Sequence, residues 1–327
     1  MKNATLRQFR VFAEVARHLS FARAAQTLHI TPPAVTMLVR ELEGQVGLPL
    51  FHRSGRHVQL TTVGEYVLVY ARRMLATLKD AQDAVARLQK LEMGTLTIGM
   101  VSTAKYFLPR LLTEFRAEHP GIEIKLAVGN REQLMLLLHA NEVDIAIMGR
   151  PTKDLATRTE PFAVHPLVFV CPLDHPITLV VKPSLADLQP YGFIVREQGS
   201  GTRAALEQLL TSHKLALNVT MEMASNGTIK QAVMAGMGLG FLSLHTLGLE
   251  LDNHLLSLVD VQETPVIRAW HSVHPLSKVL SPAAEAFRYF VLERGEAFLA
   301  QQFGRHLQLV GARSIGNQAD RQQSFRN

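Results

Sequence analysis

The segment Ser20-Phe21-Ala22-Arg23-Ala24-Ala25-Gln26-Thr27-Leu28-His29-Ile30-Thr31-Pro32-Pro33-Ala34-Val35-Thr36-Met37-Leu38-Val39-Arg40 sets two short amphipathic helices on either side of a tight turn. Ser20 is placed to cap the first helix, whose Phe21, Ala24, Ala25 and Leu28 share a face; the alanine pair permits close approach of a neighbour. Thr31 is placed to cap the second, with Pro32 at its first position, where a missing N–H costs nothing. Val35, Leu38, Val39 and Leu42 form the buried stripe of that helix, so the opposite face carries Pro33, Thr36, Met37 and Arg40. Such a face fits a major groove: Pro33 and Met37 meet thymine methyl groups, Thr36 a base edge or phosphate, and Arg40 a phosphate. Thr31 and Pro32, at the start of the same helix, complete the expected contact set on it. An ordinary three-helix bundle with a solvated face has the same spacing, so the flanking sequence decides.

Upstream, Leu6, Phe9, Phe12, Val15 and Ala16 recur at helical spacing and predict a helix over residues 5–17. Downstream, Gly47-Leu48-Pro49-Leu50-Phe51 leads into His52-Arg53-Ser54-Gly55-Arg56-His57 and Val58-Gln59-Leu60, which reads as a hairpin with a glycine turn. A basic tip beside a helix-turn-helix is a wing that touches phosphates or the minor groove, with Arg53 and Arg56 as the contacts; a solvated charged turn is the alternative. Charge distribution favours the wing. Residues 1–92 hold 13 Lys+Arg against 7 Asp+Glu, whereas residues 93–327 hold 21 of each, so the whole formal excess of +6 sits in the first quarter. A basic head on a neutral body implies a polyanion, double-stranded DNA, as partner of the head alone.

Thr62-Val63-Gly64-Glu65 fits a capping box, and no helix breaker follows until Gly94, so one helix of nearly thirty residues, about 43 Å long, is expected within the linker 62–93. Val67, Tyr70, Met74, Thr77, Ala81, Ala84, Leu88 and Leu91 follow alternating steps of three and four, a short coiled-coil seam that implies a homodimer. The alternative is a helix folded back on its own domain. After Gly94 the pattern changes to strand and helix in alternation: strands at 96–101, 122–128, 143–148, 164–170, 193–195 and 239–242, with helices at 108–115 and 132–139. This is an α/β body, expected to hold a mostly parallel sheet.

Composition excludes several classes. A chain of 327 residues with 47% hydrophobic content exceeds what one core usually holds, so two or three domains are expected. The single Cys171 lies in an apolar run and permits no intramolecular disulfide, which points to a reducing cytoplasm. Lys2, Arg7, Arg10 and Glu14 interrupt the N-terminus and argue against export. The longest uncharged stretch, 231–249, is broken by Gly236, Gly238, Gly240, Ser243 and His245, so no membrane span is expected.

The ordered run Ser20-Phe21-Ala22-Arg23-Ala24-Ala25, Leu28-His29-Ile30-Thr31-Pro32-Pro33-Ala34-Val35-Thr36, Leu42-Glu43 and Gly47-Leu48-Pro49-Leu50-Phe51 resembles the LysR-type transcriptional regulators. Pro32 and Met37 depart from residues many members carry, and both lie on the reading helix. The resemblance implies an N-terminal winged helix-turn-helix (1–61), a dimerising linker (62–93) and a two-subdomain, periplasmic-binding-protein-like α/β effector domain (94–303). Its subdomains are expected at 94–166 with 268–303 and at 167–267, with crossovers near 161–168 and 263–270. A homotetramer built from two dimers, and RNA polymerase as a further partner, are implied as well. Residues 304–327, rich in Gln, Ser, Asn and Arg, are expected to be a disordered tail.

Ligands of open α/β sheets bind beyond the carboxyl ends of strands, where helix N-termini present free N–H groups. Ser102 and Thr103 occupy that location after the first strand and Asn130 after the second. The turn Arg196-Glu197-Gln198-Gly199-Ser200-Gly201-Thr202-Arg203 gathers N–H groups, hydroxyls, amides and a cation, which suits an anion; a tight helix-capping turn with Arg203 in a surface ion pair is the alternative. With Asn226, the candidate effector contacts are therefore Ser102, Thr103, Asn130, Gln198, Gly199, Ser200, Thr202 and Arg203. This turn, together with Val128-Gly129-Asn130-Arg131-Glu132 and Asp144-Ile145-Ala146-Ile147-Met148-Gly149-Arg150-Pro151, resembles the CbbR-type regulators of carbon-fixation operons. That likeness implies a phosphorylated sugar metabolite or NADPH as effector; a regulator of another operon with a non-phosphorylated effector is the alternative.

Other signals are weaker. Gly236-Met237-Gly238-Leu239-Gly240 follows a helix and precedes a strand, the reverse of a dinucleotide fingerprint, and reads as a helix stop. His271 and His274 face opposite sides of a predicted strand, so no metal is expected. No catalytic residues stand out. An enzyme or a solute-binding protein sharing the cleft leaves the basic head unexplained.

Overall fold

The computed structural model describes residues 4–54, 57–88, 94–152 and 155–310. The chain divides into a head, residues 1–91, and a body that contains nearly all the rest. In the head, α1 (Leu6–His18), α2 (Phe21–Thr27) and α3 (Pro32–Val46) precede an antiparallel hairpin of β1 (Phe51–Ser54) and β2 (His57–Leu60). Ser20 and Thr31 cap α2 and α3 as their sequence positions suggest. Thr5 caps α1 in a reciprocal box with Gln8.

Phe12, Val35, Val39, Leu42 and Leu50 are fully buried, and the Phe12 and Phe21 rings pack on Phe51, which ties the hairpin to the helices. The Glu43 carboxylate accepts from the backbone N–H groups of Leu50 (2.9 Å) and Phe51 (3.3 Å), so α3 and the hairpin hold a fixed relation. Gly55 and Arg56, at the hairpin tip, lie outside the described residues, as does the Arg53 side chain.

The linker is α4 (Thr62–Leu88), 27 residues long. Its cap is one residue earlier than the capping box predicts. Thr61 Oγ1 accepts from Gly64 N at 2.9 Å and donates to Pro49 O at 2.8 Å, a tertiary bond that Thr62 does not make. Gly64 is required here, since a Cβ on it would come within 2.1 Å of the Leu50 carbonyl. Val67, assigned to the seam, instead packs into the head core beside Leu68 and Ala71. Tyr66 (69% exposed), Tyr70, Met74 and Leu78 form the exposed apolar stripe, with Thr77 and Ala81 also exposed. The side chains of Ala84 and Leu88, and Leu91 entirely, lie outside the described residues.

The body is a nine-stranded sheet in the order β4-β3-β5-β11-β6-β9-β7-β8, with β10 also paired to β6. Its strands are β3 (Gly94–Val101), β4 (Ile122–Gly129), β5 (Ile145–Met148), β6 (Thr157–Cys171), β7 (Gly192–Arg196), β8 (Asn218–Met223), β9 (Leu239–Ser243), β10 (Ser257–Val259) and β11 (Val266–Pro275). The sheet is mixed and not mostly parallel. β3 with β4 and β5, and β7 with β8 and β9, are parallel, but β6 and β11 run antiparallel to each other and to their neighbours. These two long strands carry the chain between two parallel clusters, and the expected crossovers lie in or just before them. Helices α5 (Leu108–Glu118), α6 (Arg131–His139), α7 (Gly201–Ser212), α8 (Asn226–Met234), α9 (Gly248–Asp252) and α10 (Pro282–Leu309) cover the sheet.

Phe115 packs edge-on against Phe287 and Phe290 of α10. That helix runs past Gly304, where a tail was expected, because Phe303, His306 and Leu307 are buried; residues 311–327 lie outside the described residues. Gly236, at φ +79°, follows the end of α8, so the glycine run is a helix stop. No helix among the described residues is long and apolar enough to cross a membrane.

Candidate functional site

The exposed face of α3 is as its periodicity implies. Thr31, Pro32, Pro33, Met37 (55%) and Arg40 are exposed, while Thr36 is half-buried. Thr36 Oγ1 donates its one hydrogen to the Pro32 carbonyl at 3.1 Å. In this arrangement the hydroxyl has only its lone pairs left to offer an outside group, which suits an amino group and not a phosphate oxygen. Arg53 sits on β1 opposite Val58.

In the body, the segments that follow the parallel strands converge on one cleft. Ser102 and Thr103 come from the end of β3, Asn130 and Arg131 from β4, Arg150 from β5, and Ser200 and Thr202 from β7. Two helix N-termini open there: Asn130 caps α6 in a reciprocal pair with Gln133, both bonds 2.9 Å, and Ser200 caps α7. Gly199, at φ +79°, makes the turn, and a Cβ on it would lie 2.7 Å from Glu132. The long strands add His165 and Arg268, which are register partners in the β6–β11 pair.

Arg196 spans the cleft. Its guanidinium is 3% exposed, pairs with both oxygens of Glu197 (2.7 and 2.9 Å), donates to Asn226 Oδ1 at 2.9 Å, and reaches Ser102 Oγ at 3.1 Å. Ser102 Oγ also lies 3.4 Å from Asn226 Nδ2, so with both lone pairs engaged its own hydrogen is free to be donated. Asn226 thus acts by holding Arg196 and does not itself line the cleft. Two sequence candidates lie elsewhere. Gln198 is exposed on the turn, and Arg203 is turned away, bound to Glu207 (2.6 Å), to the Arg196 carbonyl (3.2 Å) and near Glu222 (3.5 Å). Four residues later on the helix, Glu207 claims the guanidinium that the anion reading assigned to the cleft.

Besides Arg196, which Glu197 neutralises, the cations of the cleft are Arg131, Arg150 and Arg268, and among the described residues none of these three has a carboxylate partner. Arg131 Nε is buried with no hydrogen-bond partner. Burial, and then the charges of Arg150 and Arg131, hold the Arg268 guanidinium below its usual pKa. His165 is held well below its ordinary value by burial first and then by its neighbours His245, Arg268 and His271, so it is neutral. Arginines without carboxylate partners among the described residues, hydroxyls and two helix N-termini in one cleft are the chemistry that suits an anion. The position after β4 and β5 was legible by the strand-end rule that found Ser102 and Asn130; Arg268 had no local signal. No group of three or more His, Cys, Asp or Glu among the described residues is arranged to hold a metal.

A winged helix-turn-helix followed by an α/β domain with a polar cleft at its strand ends is the architecture of a ligand-responsive DNA-binding regulator. Residues 6–65 match the family described as bacterial regulatory helix-turn-helix protein, lysR family, and residues 89–296 match the LysR substrate binding domain. The chain belongs to the LysR family of transcriptional regulators. It is 46% identical over 304 residues to the HTH-type transcriptional regulator CfxR of Cupriavidus necator, covering 93% of this chain and 96% of that one. Against the RuBisCO operon transcriptional regulator of Allochromatium vinosum the identity is 43% over 290 residues, covering 89% and 96%. Among solved structures, the regulatory domain of Synechocystis PCC6803 CcmR in complex with 2-PG is 38% identical, with a TM-score of 0.59, covering 61% of this chain and 96% of that one.

Proposed function

We propose that this regulator controls a carbon-fixation operon and that its effector is a small phosphorylated metabolite held by Arg131, Arg150 and Arg268. The observation that carries this is the set of three arginines that have no carboxylate partner among the described residues, one with a buried Nε unbonded among them. Relatives named for the RuBisCO operon, and a relative solved with 2-PG, support the operon and the effector class. The free volume of the cleft is about 40 Å³, so a sugar-phosphate-sized anion already requires it to widen, and NADPH requires far more. Widening parts the Arg196–Ser102 bridge between the lobes, and this is how the effector biases the body's conformation. The exposed stripe of α4 supports a homodimer, with a homotetramer as its doubled form, and RNA polymerase is the partner that reads the altered complex.

The test is calorimetric titration of the full chain with 2-PG, a sugar bisphosphate, NADPH and carboxylates lacking phosphate, beside footprinting on a RuBisCO-operon promoter. Saturable binding of the smaller phosphorylated compounds, with a changed footprint, is expected. Equal binding of compounds without phosphate would remove the effector assignment, and an unprotected promoter would remove the operon assignment.

A further inference from the structure

A second cavity, of about 180 Å³, lies where the helical turn Ala104–Tyr106, α8, α9 and α10 meet, and it shares no lining residue with the anion cleft. Four buried polar atoms on its wall have no hydrogen-bond partner among the described residues: His245 Nε2, Glu250 Oε2, Gln302 Oε1 and His306 Nδ1. Their burial is deep, with His245 only 1%, His306 6% and Glu250 9% exposed. Unbonded groups at such depth are costly unless something within the cavity completes them.

The role of each atom follows from its other contacts. Trp270 Nε1 donates to His245 Nδ1 at 3.0 Å, and burial pushes His245 down to about 3, so the ring is neutral and its Nε2 carries the hydrogen. His306 Nε2 lies 3.0 Å from Asp252 Oδ1, which only accepts, so Nε2 holds a hydrogen and Nδ1 is the atom turned to the cavity. Glu250 Oε1 is taken by Lys230 at 2.6 Å, which leaves Oε2 free. Lys230 is itself spent, on Glu250, on the Thr246 carbonyl at 2.8 Å and on the face of Tyr106. The wall therefore presents a donor, His245 Nε2, two acceptors, Glu250 Oε2 and Gln302 Oε1, and the ring nitrogen His306 Nδ1, which a hydroxyl meets as donor or as acceptor.

Its charges balance, Lys230 and Arg110 against Glu250 and Asp252, so neither an anion nor a cation is favoured. A hydroxyl both donates and accepts, and several hydroxyls on one carbon chain match this set. The faces of Tyr106 and Phe303 suit the C–H edges of such a molecule. At about 30 Å³ per water, the volume takes roughly six water-sized units, the size of a polyol of about four or five carbons. We propose that this cavity is a binding site for a small uncharged polyol or sugar, separate from the anion cleft.

Trp270 is the only tryptophan of the sequence, is fully buried, is bonded to His245 on the side of this cavity and is stacked on His165 at 3.9 Å on the side of the anion cleft, so its emission responds to either site and the variants tell the two apart. The experiment titrates the full chain with erythritol, xylitol and ribose, and in parallel with ethylammonium chloride and inorganic phosphate. A saturable change in emission is expected with at least one polyol. Gln302→Leu should weaken it about fivefold or more, while saturating inorganic phosphate, which is held in the other cleft, leaves the polyol affinity of the parent unchanged. Leu249→Tyr narrows the mouth from an exposed position and replaces Gln302→Leu if that variant does not fold. A response that never saturates and is the same in parent and variants is a general osmolyte effect, which overturns the site. A saturable response through the same residues to ethylammonium overturns the ligand class.

Discussion

Arg268→Gln should weaken a phosphorylated effector while leaving the unliganded protein as stable as the parent, or slightly more so. Arg268 is partly buried, is crowded by Arg150 and Arg131, and makes one side-chain bond, from Nη1 to Gln208 Oε1 at 3.3 Å. Without ligand its charge is therefore a burden. Removing it relieves repulsion, an effect that solvent screening at this partly exposed group holds to a fraction of about 1 kcal/mol, so the melting temperature should rise by about one degree or stay level. With ligand, the variant loses a charge-assisted hydrogen bond to phosphate worth about 1.5–3 kcal/mol, which is about a 10- to 150-fold loss of affinity. Titration calorimetry with 2-PG and scanning calorimetry of the free protein read the two quantities. A structural arginine gives the opposite pair of signs, a lowered melting temperature with affinity intact, and that result refutes the reasoning.

Stability should fall with acid through the buried histidines. His165 and His245 have folded values below 6.5, so below that pH the unfolded chain binds more protons than the folded one; stability is complete above about pH 7 and is lost as pH falls toward the folded values. For His245, at about 3, the loss between pH 6.5 and 5 is about 2 kcal/mol, and denaturant unfolding that is flat over this interval contradicts neutral burial. Arg40→Ala should lower the salt slope of DNA binding by about one at unchanged sequence preference, whereas Thr36→Val should blunt discrimination between operator and random DNA. Gel shifts at several salt concentrations separate the two, and equal loss on all sequences for Thr36→Val argues against base readout. Tyr70→Glu with Met74→Glu places like charges on the exposed stripe of α4 and should yield smaller species in sedimentation; an unchanged assembly means that the stripe is not the dimer seam.

The local elements were legible because their causes are local. Ser20 and Thr31 cap helices, Val35, Leu38, Val39 and Leu42 bury one face of α3, and the basic hairpin follows at once, so the reading head emerges from spacing alone. The cleft was legible in part, since helix N-termini after strands mark where Ser102, Thr103, Asn130, Ser200 and Thr202 lie. The errors share one physical origin, a partner distant in sequence or a competing one on the same helix. Thr61 caps α4 because its hydroxyl also reaches Pro49; Val67 leaves the seam for the head core; α10 continues past Gly304 because Phe303, His306 and Leu307 find cover.

Arg203 looked like the counter-charge until Glu207 took it, while Arg268 reaches the cleft only through antiparallel register with His165 across about a hundred residues of chain. Periodicity and capping, which are properties of neighbouring residues, determined the helices, the hairpin and the strand ends at which the polar cleft forms. Which arginines line that cleft was decided by strand pairing, because the position of a charge in a cleft depends on the backbone that carries it there.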